Sequence, residues 1–227
     1  MQVHDGYCER IGTEPNLWGE PVNALTNLAF YAAVYWLFLE ARKRERLDSG
    51  VVSLIFLVFC IGTGSFLFHT FATNWALASD VIPIQAFIIL YFGVVLYHVH
   101  GLGLLVSIVG AFTFLPLAAG MQFLLAGTLL GGANAGYVSA LLLLFVNAVI
   151  LAIRHHAIAP WLAAGSGVFV LSLAFRILDE HVCGAFPTGT HFAWHILNSV
   201  VLAIVATGFI RHGHRRHGQA AADSGKR

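Results

Sequence analysis

The chain has 227 residues, 58% of them hydrophobic and only 10% charged, against roughly 45–50% and about 25% in ordinary soluble proteins. So little charge cannot coat a soluble particle, and the mean hydropathy of +0.79 points to an integral membrane protein. A net charge of +1 leaves no basic face to neutralise phosphates, which excludes a nucleic-acid partner.

A helix crosses the hydrocarbon in roughly 20 apolar residues. Runs of that length, separated by polar or Gly/Pro-rich breaks, fall near 22–40, 51–70, 76–98, 102–119, 136–153, 160–178 and 191–210. The expected fold class is therefore all-α, with seven transmembrane helices. Before them, residues 1–20 carry Asp5, Glu9, Glu14 and Glu20 and lack a continuous apolar run. They do not read as a cleavable signal peptide, so the first span does the targeting. Between the fourth and fifth spans, Met121–Leu130 and Gly131-Gly132-Ala133-Asn134 read as a long loop or re-entrant segment, with an eighth helix as the alternative.

Basic residues orient the bundle, since cytoplasmic loops are enriched in Lys and Arg. Arg42, Lys43, Arg44 and Arg46, then Arg154, then Arg211, Arg215, Arg216, Lys226 and Arg227 fall on one side, ten of the twelve in the chain. Arg10 falls on the other side and Arg176 within the sixth span. This predicts the N-terminus outside and the C-terminus in the cytoplasm. The chain divides into an extracytoplasmic acidic segment (1–21), a seven-helix domain (22–210) and a basic, His-rich tail (211–227). The tail reads as a solvated end touching anionic lipid. No obligate protein partner is inferred.

Ionisable groups inside spans cost several kcal/mol, about 2.5–3.5 on insertion scales, so each is a functional candidate. Here they gather at one end: His69 closes the second span, Asp80 opens the third, and His191 and His195 open the seventh. Ser65 precedes His69 by four residues and His195 follows His191 by four, so each pair shares a helix face. Two histidines at that spacing plus a third from another helix form the minimum protein ligand set for a catalytic zinc, leaving the fourth position to a water that the metal acidifies. Asp80 is placed to accept a proton or orient an imidazole, and Ser65 to donate to a developing oxyanion. A single membrane histidine is more often a packed group bonded to a backbone carbonyl. Four ionisable groups at one depth weigh against that reading.

On the same side, Asp5, Glu9, Glu14 and Glu20 offer hard oxygen ligands of the kind that suit calcium. Glu20 directly precedes the polar face of Asn23, Thr26 and Asn27. Cys8 and Cys183 also fall outside the membrane there, where a disulfide is permitted, whereas Cys60 lies within the second span as a packing residue.

Taken together, Tyr7-Cys8-Glu9, Glu20-Pro21-Val22-Asn23-Ala24-Leu25-Thr26-Asn27, Ser65-Phe66-Leu67-Phe68-His69, Asp80, Phe175-Arg176-Ile177-Leu178-Asp179 and His191-Phe192-Ala193-Trp194-His195 resemble the alkaline ceramidase family. That family sits within a larger group of seven-helix hydrolases that includes the adiponectin and progestin receptors. The resemblance implies a zinc held by His69, His191 and His195, with Ser65 and Asp80 beside it and Tyr137 steadying the oxyanion. It also implies a calcium site at Glu9 and Glu20, with Asp5 displaced by one position from the family pattern and Ile11 where the family has an Asn ligand. The short loops and compact tail look like the bacterial members, which would place the protein in a bacterial inner membrane with the site near the periplasmic face. The expected function is zinc-dependent hydrolysis of the amide of a ceramide-like membrane lipid to a sphingoid base and a fatty acid. The alternative is a heptahelical receptor with a structural zinc and little turnover. A proton-relay transporter would instead spread its ionisable groups through the bilayer.

Overall fold

The computed structural model describes residues 7–10 and 18–213, and its regular structure is helical. Among the described residues, seven helices are long and apolar enough to cross a membrane: Pro21–Lys43, Ser49–Phe71, Asn74–Val99, Leu104–Leu124, Gly132–Ile153, Ala159–Val182 and His191–His212. They are the first to seventh spans below. Each packs against its neighbour in sequence, and the seventh closes the ring by also packing on the first and second. This is an integral multi-pass membrane protein.

Local sequence explains the ends. Pro21 opens the first span, where its missing N–H costs no hydrogen bond. That span breaks once, at the buried Asn27, whose side-chain amide donates to the Asn23 carbonyl at 2.9 Å. The second span is capped by Asp48, which accepts from the Val51 N–H at 3.2 Å. At the end carrying Arg42–Arg46, Glu40 accepts from Arg44 at 3.1 Å and Arg211 at 2.6 Å, joining the first and seventh spans. Arg46 donates to the Ile210 carbonyl at 3.3 Å there. Phe30, Leu37, Leu54, Ile61, Leu162 and Phe209 fill the core between the ends.

Two boundaries differ from the sequence expectation. The fourth span does not stop at residue 119: Met121–Leu124 remain helical, because Gly120 is tolerated in the helix and the chain turns only at Gly127, which takes φ +77°. Residues 121–124 are thus not loop, and the connection is a short run of turns leading into Gly132–Asn134. The sixth span runs on to Val182 despite Asp179 and Glu180, since the Asp179 carboxylate finds buried donors rather than solvent.

Candidate metal centre

His69 arrives from the last turns of the second span, and His191 and His195 lie one turn apart at the start of the seventh. All three are 1% exposed, and a ring nitrogen from each lies within 4.8 Å of the others. Among the described residues, this is the one group of ligand-bearing side chains close enough to share an ion.

The surrounding hydrogen bonds set which nitrogens face the cluster. The Nδ1 of His69 donates to the Glu20 carboxylate, so the neutral ring keeps its lone pair at Nε2. The Thr26 hydroxyl donates to the Val22 or Asn23 carbonyl, 2.9 and 3.0 Å away, leaving its oxygen to accept from the His195 Nδ1 at 3.0 Å. His195 therefore also keeps its lone pair at Nε2. His191 carries a buried Nδ1 with no hydrogen-bond partner, a polar atom that a metal bond would satisfy. Two orienting partners and one orphaned nitrogen are what a metal ligand set requires, so the residues fit a metal ion, and a three-imidazole set suits zinc.

The backbone beneath the histidines is held by Asp179. Its Oδ1 accepts the N–H groups of Thr190 at 2.6 Å and His191 at 2.8 Å, satisfying the orphan donors of the seventh helix. Its Oδ2 accepts the Cys8 N–H at 3.1 Å.

Residues 7–10 strap this end of the bundle. Tyr7 stacks on His191 with ring centroids 3.9 Å apart, and its hydroxyl accepts from Arg176 at 3.2 Å. Burial pushes the Tyr7 phenol up, with the Arg176 guanidinium opposing. Cys8 forms a disulfide with Cys183, and Cys60 is a free thiol, both as the sequence suggested. Glu9 accepts the Val22 and Asn23 N–H groups at 2.6 and 2.8 Å, capping the first span from outside it. Burial raises its carboxyl above the ordinary range although both N–H groups pull it down. Arg10 reaches Glu20 at 2.5 Å. Burial acts to raise the Glu20 carboxyl, but His69 and Arg10 together outweigh it and hold it below the ordinary carboxylate range. Asp5 lies outside the described residues.

Ser65 is buried one turn before His69, its hydroxyl 3.5 Å from the His195 Nε2. Asp80 is brought beside it by a close approach of the second and third spans. A methyl group built on Gly64 would meet the Ser79 carbonyl oxygen at 1.8 Å and the Asp80 backbone nitrogen at 2.9 Å, so only glycine permits it. Asp80 and Tyr137 share the wall of a cavity of about 620 Å³ with Tyr7 and Arg176. Arg176 lies 5.0 Å over the Tyr137 ring, 5.4 Å over Trp194, and donates to Asn134 at 3.1 Å. Sequence reasoning assigned no task to Arg10, Tyr7, Arg176 or Asp179. The signal available for the two arginines was their departure from the charge asymmetry of the loops.

Seven membrane-length helices enclosing three convergent histidines at one end define a multi-pass membrane protein with a candidate metal centre. A family model described as Ceramidase matches residues 6–224, nearly the whole chain, and the chain belongs to the ceramidase family. No curated protein and no solved structure matches it. Family membership makes it a hydrolase of amide bonds, with the membrane lipid ceramide as substrate.

Proposed function

We propose that the chain is a zinc-dependent ceramidase that cleaves the amide of ceramide-like N-acyl lipids into a sphingoid base and a free fatty acid. The observation that carries this reading is the convergence of three histidine nitrogens within 4.8 Å, two of the rings being oriented by Glu20 and Thr26. Zinc held by His69, His191 and His195 supplies Lewis acidity and lowers the pKa of water.

The chain's own groups do the rest. Asp80 accepts a proton from the attacking water, whose oxygen adds to the amide carbonyl carbon, and returns it to the amide nitrogen as the C–N bond breaks. Ser65 and Tyr137 donate to the carbonyl oxygen as it gains charge. The cavity suits an amphiphile: Leu77, Val81, Leu129 and Ile177 line it for the chain, with Asp80, Tyr137 and Arg176 for the polar amide region. The basic loops support an N-terminal segment (1–21) outside, a catalytic domain (22–210) and a cytoplasmic tail (211–227), with substrate drawn from the outer leaflet.

Elemental analysis of the purified protein, followed by release of fatty acid from a panel of N-acyl lipids, tests the reading. One zinc per chain and hydrolysis of N-acyl sphingoid bases are expected. Protein free of zinc, or a metal-replete protein that leaves every N-acyl lipid intact, overturns it.

A further inference from the structure

The resemblance implied calcium at Glu9 and Glu20, and the described residues do not fit it. Both oxygens of each carboxylate already accept from protein donors. Glu20 Oε1 takes the Arg10 Nε at 2.5 Å, and Oε2 takes the His69 Nδ1 and the Asn23 side-chain amide at 3.1 Å. Glu9 is engaged with the Val22 and Asn23 N–H groups at 2.6 and 2.8 Å. A cation does stand at this place, and it belongs to the chain. Arg10 is 4% exposed and reaches, besides Glu20, the His69 carbonyl at 3.1 Å through Nη2.

We propose that the Arg10 guanidinium is the resident cation of this acidic site, a positioning residue that holds Glu20 against His69 and makes a calcium ion unnecessary. The inference rests on reading His69 as a metal ligand. A carboxylate 2% exposed is costly without a counter-charge. Guanidinium meets that need permanently, because it stays protonated at every relevant pH and its fork reaches two acceptors at once. Here the acceptors include the carboxylate that orients the His69 ring and the carbonyl of His69 itself. Ring and backbone of one residue are thus fixed by one side chain. The carbonyl lies in the last turn of the second span, where the helix dipole also favours a positive group. A calcium ion drawing on Glu20 would face the guanidinium at contact range, beside an Oε2 that already accepts twice.

The strap explains why Arg10 can do this from a segment without a spanning helix. Cys8, two residues away, is bonded to Cys183 and to Asp179, and Glu9 is locked on the first span. The backbone immediately before Arg10 is therefore pinned on its approach to Glu20.

The full-length, zinc-loaded protein is titrated with calcium, and Arg10→Met and Arg10→Lys are compared with wild type for zinc affinity against a competing chelator and for kcat and KM. Wild type is expected to bind no calcium up to about 1 mM, within the range of weak extracellular sites. Arg10→Met should bind zinc about 10–100-fold more weakly, as loss of an outer partner of a ligand does, with the loss falling on kcat rather than KM. Arg10→Lys should recover part of both, since it restores charge without the fork. Calcium binding by wild type with a gain in turnover overturns the proposal, as does Arg10→Met with undiminished zinc affinity. If Arg10→Met does not fold, the wild-type calcium titration and the zinc affinity of Arg10→Lys, expected several-fold below wild type, decide it. Wild-type protein without zinc would defeat the zinc reading itself, and the calcium titration then judges the guanidinium's place alone.

Discussion

The fourth and seventh spans have similar lengths, 21 and 22 residues, and opposite fates. Over its most apolar stretch the fourth has a mean hydropathy of 2.1 with 17% of residues buried, whereas the seventh has 1.8 with 67% buried. In water the more apolar helix would be the enclosed one. In lipid the tails are as apolar as leucine, so there is no gain in hiding Leu105, Ile108 or Phe112 from them, and these side chains are exposed on the protein. What must be enclosed is the polar material, and the seventh span carries His191, His195, Asn198, Ser199 and Thr207, all buried. The span with more polar groups is therefore the most enclosed of the seven and the carrier of the histidine pair.

The contrast breaks most decisively at the ligands. His191→Ala with His195→Ala should leave no bound zinc and no hydrolysis above background, while the helices still assemble because lipid-phase packing supplies most of the fold. Full zinc occupancy in that variant, read by elemental analysis, would remove the seventh span from the site. Next in size, Asp80→Asn should retain zinc yet lose about 10²–10⁴ in turnover as the general base disappears. If the metal is lost with the carboxylate, Asp80 instead supports the ion. Ser65→Ala should cost about 10²–10³ in rate with zinc intact, as expected for one oxyanion donor. Near-normal turnover would leave Ser65 as a packing residue.

Smaller effects sharpen the comparison from its structural side. Cys8→Ser should lower stability by about 2–4 kcal/mol, seen as a depressed thermal midpoint, with Cys60→Ser close to neutral. Equal midpoints for wild type and Cys8→Ser would show that the strap holds without its covalent bond. Least of all, Leu105→Ala in the fourth span should change stability by under about 0.5 kcal/mol, because its side chain meets lipid in both forms.

Hydropathy made all seven spans legible, since each is a run long enough to cross, and the helical spacing of Ser65 with His69 and His191 with His195 made the metal cluster legible. It gave no view of which span would be the most enclosed, because a run of apolar residues reads the same whether protein or lipid covers it. The orienting partners were hidden for a different reason. Asp179 meets the Cys8 N–H across 171 positions, and Glu20 meets His69 across 49, so no local spacing encodes either bond. Carboxylates near the membrane surface read as calcium ligands by composition, and only the geometry showed that Glu9 caps a helix and Glu20 holds a histidine. The charge count did contain one unread clue. Arg10 and Arg176 were the two basic residues that departed from the asymmetry of the loops, and both lie at the site.

The Cys8–Cys183 bond, 175 residues from end to end, also sets an order of manufacture. At about 5–20 residues per second, the first thiol waits roughly ten to thirty-five seconds on the growing chain before its partner has been synthesised. One other cysteine is made in that interval, Cys60, and its place in the second span keeps it apart from the N-terminal segment. Cys8 thus reaches its native bond only when the sixth span is complete. His191 and His195 follow within a dozen residues of that moment, so the strap and the last two ligands become available almost together, and the half-built protein carries only one of the three histidines.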